Sequence, residues 1–299
     1  MFDPLVIVFG LGVGVLIGLT GIGGGSLMTP LLILVVGIKP VVAIGTDLAY
    51  GAITKTVGGW KHLRMGTVDL GVTAWLAVGS LPGALAGVFL VDRLHGAYGD
   101  SFDTVLLAVV AAALLIVSAA IIVRTVVLGP YKLRETDTYA FTARRKLGAA
   151  AIGLVLGLML GATSVGSGAL IGPVLILLFR LTPRRVVGTD VAHAALLLWA
   201  AGIAHWIGGN VDFTLMGNIL IGSIPGVWIG TALVPRVPVT ALRPALGCVL
   251  LGSALGVLTK AGVEMPVWVI LGAPVAVGAA AFAMHRVRRP APEPVAVPA

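Results

Sequence analysis

Apolar stretches separated by short polar or glycine-rich intervals run along nearly the whole chain. They fall at 5–20, 26–38, 41–59, 68–91 and 104–128, then at 147–163, 169–181, 186–207, 212–234, 241–259 and 265–285. Their lengths predict helices throughout, because no stretch shows the alternation over about ten residues that marks a strand of a membrane barrel. Two pairs depart from the rest: 5–20 with 26–38, and 147–163 with 169–181. Each is two short apolar runs split by Gly and Ser, and each run falls below the roughly 20 residues that cross a bilayer.

The pattern repeats. Shifted by 143 positions, Gly18-Leu-Thr-Gly-Ile-Gly-Gly-Gly-Ser-Leu-Met-Thr-Pro30 lies over Gly161-Ala-Thr-Ser-Val-Gly-Ser-Gly-Ala-Leu-Ile-Gly-Pro173, and the register holds without a gap to Gly87 over Gly230. Gly45-Thr46-Asp47 lies over Gly188-Thr189-Asp190, His62 over His205, Asp69 over Asp212, and Gly79-Ser80-Leu81-Pro82-Gly83 over Gly222-Ser223-Ile224-Pro225-Gly226. Apolar composition alone would match Leu, Val and Ala, but not Thr-Asp, His and Pro in register. A duplicated unit is the expectation, with one apolar stretch left over at the C-terminal end.

Composition sets the class. The 299 residues are 58% hydrophobic and 11% charged, with a mean hydropathy of +1.08. A water-facing surface usually requires about a quarter charged residues, so a soluble enzyme, a nucleic-acid binder and a disordered chain are excluded in favour of an all-α polytopic membrane protein. The net charge of +8 does not revive nucleic acid as a partner, because the basic residues sit at the ends of apolar stretches, where they meet the lipid headgroups. Met1-Phe2-Asp3-Pro4 lacks a cationic leader, so the first apolar stretch is expected to be retained.

Those charges predict a topology. Placing Lys132, Arg134, Arg144, Arg145 and Lys146 in the cytoplasm puts Arg184/Arg185, Arg236/Arg243, Arg286/Arg288/Arg289 and Lys61/Arg64 inside as well. Asp92–Asp103, His205–Asp212, Lys260–Glu264 and the N-terminus then fall outside. The walk succeeds only if each split pair enters and comes back, as two short spans or as a re-entrant hairpin. Segments 68–91 and 212–234 then cross in opposite directions, predicting two inverted repeats, an arrangement common among secondary transporters. The expected divisions are a first repeat at 1–128, a basic cytoplasmic linker at 129–146, a second repeat at 147–260, an extra helix at 261–286 and a disordered Pro-rich tail at 287–299.

Candidate chemistry concentrates where the repeat breaks or turns polar. The runs around Gly23, Gly24 and Gly25, and around Ser164, Gly166, Ser167 and Gly168, expose backbone N–H groups next to the positive end of a helix and can hold an anion without a fixed cation. Thr20, Ser26 and Thr163 add hydroxyls; close helix packing is the competing reading of the glycines. Thr46-Asp47 and Thr189-Asp190 put carboxylates inside apolar stretches, where charge is expensive and marks a pathway or a coupling site; the competing reading is that each Asp caps its helix near the surface. Lys55, opposite Leu198 in the repeat, either offers a counter-charge to substrate or snorkels to the inner interface. His193, three residues after Asp190, is read as a proton relay or as a hydrogen-bonded interior histidine. His62 and His205 are expected at the interface, and Pro82 and Pro225 are expected to kink matching helices. No catalytic residue, metal site or cofactor is expected: there is no HExxH, no Cys/His cluster, and no Lys that would make Gly21–Ser26 a phosphate loop. An intramembrane hydrolase pairing Ser167 with His193 or His205 is disfavoured, since position 24 in the first copy is Gly.

Gly21-Ile-Gly-Gly-Gly25 with Leu27 and Pro30, then Gly45-Thr46, returning more weakly as Gly166-Ser-Gly168, Pro173 and Gly188-Thr189, resembles the TauE/SafE family over about residues 5–260. The resemblance implies a transporter of sulfite, sulfonates or related sulfur-containing organic anions. Ser164 and Ser167 depart from the glycine pattern, so the two half-sites are not equivalent. The expectation is a secondary transporter of a small anion in the cytoplasmic membrane, working by alternating access with proton or cation coupling. A passive anion channel is the alternative. The bilayer and the anion are the expected partners, and a homo-oligomer stays open.

Overall fold

A computed structural model of the chain describes residues 2–20, 25–126, 142–166, 168, 170–233 and 239–287. They form eleven helices and no strand. In chain order these are α1 (Pro4–Thr20), α2 (Gly25–Leu31, continued by a π-helical turn Leu32–Val36), α3 (Pro40–Arg64), α4 (Leu70–Tyr98), α5 (Asp100–Val126), α6 (Ala143–Thr163), α7 (Ile171–Phe179), α8 (Pro183–Ile207), α9 (Phe213–Leu233), α10 (Val239–Lys260) and α11 (Val267–Val287). Among the described residues, α4, α5, α6, α8 and α9 are long and apolar enough to cross a membrane.

The 143-residue period appears in the helix boundaries. Pro40–Arg64 becomes Pro183–Ile207, and Leu70 becomes Phe213. The causes are local and duplicated. A proline opens α3 and α8, where its missing N–H is no loss. Asp69 and Asp212 cap α4 and α9, accepting from the N–H of Val72 at 3.0 Å and of Leu215 at 2.9 Å.

The two copies interlock. The first helix of each packs against the fourth of the other, α1 on α9 and α6 on α4. These contacts are made by glycines one turn apart. A Cβ on Gly79, Gly83 or Gly87 would strike the carbonyls of Ala150, Leu154 and Leu158, and one on Gly153, Gly157 or Gly161 would strike those of Leu76, Ser80 and Ala84. Gly10, Gly14 and Gly18 meet α9, and Gly222, Gly226 and Gly230 meet α1, in the same way. In lipid, where burying apolar side chains gains little, such backbone-to-backbone contact is what holds helices together. Close packing is therefore what these four glycine triplets serve.

α3 and α8 cross at the centre and run in opposite directions. Gly51 faces Leu198, Gly58 faces Val191, and Gly202 faces Ala49, so one number rises as the other falls. The split pairs return to the end they entered. α6 begins level with the α3–α4 turn, and Gly188 of α8 touches Thr67 in that turn. α6, with 21 residues, is about 31 Å long, whereas α7 has only nine residues and about 13 Å. Each half therefore pairs a long helix with a short one. Arg185 with Asp69 gathers at one end, and Lys39 with Asp100 and Asn210 with Asp92 at the other.

Three details differ from the apolar pattern. α4 runs on to Tyr98 and stops only at Gly99, whose φ of 55° ends the helix, so the acidic stretch 92–103 is helical. Helix α3 extends past residue 59 because Lys61, His62 and Arg64 suit the negative end of its dipole. Arg144, Arg145 and Lys146 belong to the first turn of α6, capped by Thr142. Lys132 and Arg134 of the basic linker, and residues 288–299 of the tail, lie outside the described residues.

Candidate functional site

Asp47 is the eighth residue of α3, not its cap, and is 1% exposed. Its Oδ2 accepts the hydroxyl of Thr29 on α2 at 2.6 Å and that of Ser164 at 2.8 Å. Ser164 ends α6 in the left-handed conformation, with φ of 59°. A non-glycine residue held there costs about 1–2 kcal/mol, and the hydroxyl this geometry aims at Asp47 gives a compensating charge-assisted bond. Gly25 completes the contact: a Cβ there would collide with the Ser164 carbonyl and approach Asp47 Oδ2. One carboxylate thus joins the two breaks, one from each repeat.

Asp190 holds the matching place on α8 and is 6% exposed. It lies beside the backbone of Gly168, in the second break. Each aspartate keeps one oxygen, Oδ1, without a hydrogen-bond partner among the described residues. Because α3 and α8 run oppositely, the two carboxylates sit on either side of the helix crossing. Lys55 lies near the crossing, nine residues before the end of α3, and is buried.

The threonines do something else. Thr46 Oγ1 accepts from the N–H of Asp212 at 3.0 Å, and Thr189 Oγ1 accepts from that of Asp69 at 2.9 Å. Gly45 and Gly188, one residue earlier, press on the carbonyls of Asn210 and Thr67. The Gly-Thr of each Gly-Thr-Asp is a brace onto the other repeat's turn, which leaves the Asp as its inward-facing member.

His193 Nε2 and Ser80 Oγ are 2.8 Å apart, so this histidine is tied to α4 and not to Asp190. At the equivalent place Tyr50 lies beside Ser223. His205 is fully buried, its Nε2 donating to the Gly161 carbonyl at 3.1 Å, and the interfacial expectation fails for it. His62, half-buried at the end of α3, contacts Thr67 at 2.9 Å. Thr163 donates to Met159 within its own helix at 2.6 Å. Ser26 is buried with an unpartnered hydroxyl. Gly166 has φ of 116°. Gly23, Gly24 and Ser167, and the side chain of Thr20, lie outside the described residues.

Sequence reasoning missed Thr29, Ser80, Tyr50 and Ser223. Ser80 and Ser223 carried a signal, since the repeat aligns them within Gly-Ser-x-Pro-Gly; Thr29 lies over Gly172 and had none. Among the described residues no cluster of three His, Cys, Asp or Glu side chains could hold a metal ion.

The family described as "Sulfite exporter TauE/SafE" matches residues 6–257. The chain is similar to the "Probable membrane transporter protein YjnA" of Bacillus subtilis (strain 168), 39% identical over 84% of this chain and 97% of that protein. It is also similar to the "Probable membrane transporter protein YdhB" of the same strain, 29% identical over 78% of this chain and 91% of that protein. A "Probable membrane transporter protein" of Xylella fastidiosa (strain 9a5c) is 25% identical over 86% of this chain and 96% of its own length. No solved structure matches the chain. With its helices, its duplicated breaks and these relatives, the chain belongs to the TauE/SafE family and is a multi-pass membrane transporter.

Proposed function

We propose that the protein is a secondary transporter of a small anion, a sulfite, a sulfonate or a related sulfur-containing organic anion, working by alternating access. Its two repeats lie inverted in the cytoplasmic membrane, with the N-terminus outside and the central linker and C-terminus in the cytoplasm. The observation that carries the reading is the junction of Gly25, Thr29, Asp47 and Ser164, where one buried carboxylate ties the helix breaks of both repeats. Such a junction opens when one repeat rocks against the other, and it exposes the donors of Gly23–Ser26 and Ser164–Gly168 to an anion. Two further features support it: α3 and α8 run oppositely, as repeats inverted across a membrane must, and the relatives are named as transporters.

The carboxylates fit coupling to protons. An anion approaching Asp47 or Asp190 is repelled unless the carboxyl is protonated, so proton and anion travel together. The test is flux in liposomes holding the purified protein, supplied with sulfite or a sulfonate. Wild type shows saturable uptake and counterflow, and Gly24→Leu abolishes both while the protein still inserts. Uptake that never saturates identifies a channel, and undiminished flux in the variant removes the glycine break from the site.

A further inference from the structure

Asp47 is a buried carboxylate, and the ion pairs among the described residues all lie elsewhere. A charge in that position needs a counter-charge, because the interior of a membrane protein solvates ions poorly. Its surroundings are oxygen. Thr29 Oγ1 at 2.6 Å and Ser164 Oγ at 2.8 Å both donate to Oδ2, so their protons are committed there while their lone pairs stay available. Oδ1, on the same carboxylate, is buried and has no hydrogen-bond partner among the described residues. A Cβ on Gly25 would strike the Ser164 carbonyl and lie 3.2 Å from the Ser164 hydroxyl and 3.6 Å from Asp47 Oδ2, so these oxygens share one small space. Ser26, next in the chain, also keeps a buried hydroxyl without a partner among the described residues.

The end of α6 adds to this. Ser164 caps the C-terminal, negative end of that 21-residue helix. Helix ends of this kind coordinate sodium ions or protons in transporters built from broken helices. The repeat gives the full set of oxygens to one half only. Thr29 lies over Gly172 and Ser164 over Gly21, so Asp190 has neither hydroxyl.

Resting on the anion-carrier reading above, we infer that Asp47, Thr29 and Ser164 form a binding site for a sodium ion that couples its movement to the anion's. Asp47 Oδ1 is the charged ligand, and the two hydroxyls and the Ser164 carbonyl are the neutral ones. Oxygen ligands suit a hard cation. One carboxylate among neutral oxygens balances a single positive charge, whereas a divalent ion would leave a net charge buried. A small ion fits, since the contact at Gly25 leaves no room even for a methyl group. Asp47 and Thr29 come from the first repeat and Ser164 from the second, so the ligand set is whole only while the two breaks meet. Bound sodium neutralises Asp47, taking at this carboxylate the place that the proton has in the reading above, and lets an anion approach. When the repeats rock apart the ion loses Ser164 and leaves with the anion.

Radiolabelled sodium ion is the probe. The purified full chain in detergent should bind it saturably, with unlabelled NaCl competing and KCl or choline chloride at equal ionic strength not competing. Asp47→Asn should abolish the binding. Thr29→Val and Ser164→Gly should each weaken it at least about tenfold, the loss usual when a group around a metal ion is removed, and Thr29→Ser should keep it. Ser118→Ala, which removes a buried hydroxyl between α5 and α10, should match wild type. Size-exclusion profiles in sodium-free buffer establish which variants are folded; if Asp47→Asn is not, the contrast between Thr29→Val and Thr29→Ser decides. In liposomes, an inward sodium gradient should drive uptake of sulfite or ethanesulfonate, and an equal potassium gradient should not. No saturable sodium binding, equal competition by potassium, or unchanged affinity in Thr29→Val overturns the inference, while saturable anion uptake alongside any of these leaves the carrier reading in place. No saturable uptake of sulfite or ethanesulfonate by wild type overturns the carrier reading, and the sodium coupling with it.

Discussion

Asp47 on α3 and Ser164 at the end of α6 are 117 residues apart in sequence and 2.8 Å apart in space. The serine stands where the first repeat has Gly21 and adopts the backbone conformation a glycine would adopt more easily. The hydroxyl and the backbone therefore pull in opposite directions, and substitution can separate them. Ser164→Ala keeps the strained backbone and loses a hydrogen bond to a carboxylate, a cost of about 1.5–3 kcal/mol. Ser164→Gly loses the same bond but relieves about 1 kcal/mol of strain. Thermal unfolding in detergent should rank wild type first, the glycine variant second and the alanine variant last. An alanine variant as stable as the glycine one contradicts this account.

The glycine triplets predict sharply different tolerances along the helices. Gly83→Val drives a branched side chain into the Leu154 carbonyl, and Gly157→Val does the same at Ser80. Both should prevent α4 and α6 from meeting and abolish folded protein. Gly148→Ala, where a Cβ meets nothing within 4 Å, should be neutral or slightly stabilising through better helix propensity. Size-exclusion profiles of the three variants in detergent check this.

Equivalent braces should cost equivalent amounts. Thr46→Val and Thr189→Val each remove the acceptor for the backbone N–H of an N-cap aspartate in the other repeat. Each should destabilise by about 1 kcal/mol, and the double variant by the sum, since the braces lie at opposite ends of the bundle. A strong effect at one site with none at the other indicates that the repeats do not share this brace.

Topology has its own test. Single cysteines at Asp100, exposed beside Lys39, and at Thr138 in the basic linker, in a Cys248→Ser background, should be labelled from opposite sides of the membrane. Labelling from the same side contradicts the inverted arrangement.

Much of the architecture was legible because it depends on local and periodic properties. Apolar run lengths, the proline at the start of α3 and α8, and the Asp caps of α4 and α9 act within a few residues. The duplication made each of them visible twice. The aspartates could be singled out for the same reason, since charge within an apolar run is costly wherever it lies. What they touch was not legible. Lys55 lies in a polar-interrupted part of α3, which extends beyond its apolar stretch to Arg64 and packs along α8. His205 was expected at the interface because it ends an apolar run, but its contact with Gly161 of α6 in the same repeat buries it.

By itself, then, the sequence determined the class, the period of 143, the glycine breaks and the identity of the buried charges, because these follow from the cost of polarity in lipid and from steric limits at each residue. Only the tertiary structure decided the pairing: Asp47 to the hydroxyls of Thr29 and Ser164, and His193 to Ser80. Apart from Thr29, each of these partners belongs to the other repeat, and the two repeats exchange helix contacts throughout. Contacts made across that exchange depend on where two distant segments meet, and no periodicity within either segment encodes it.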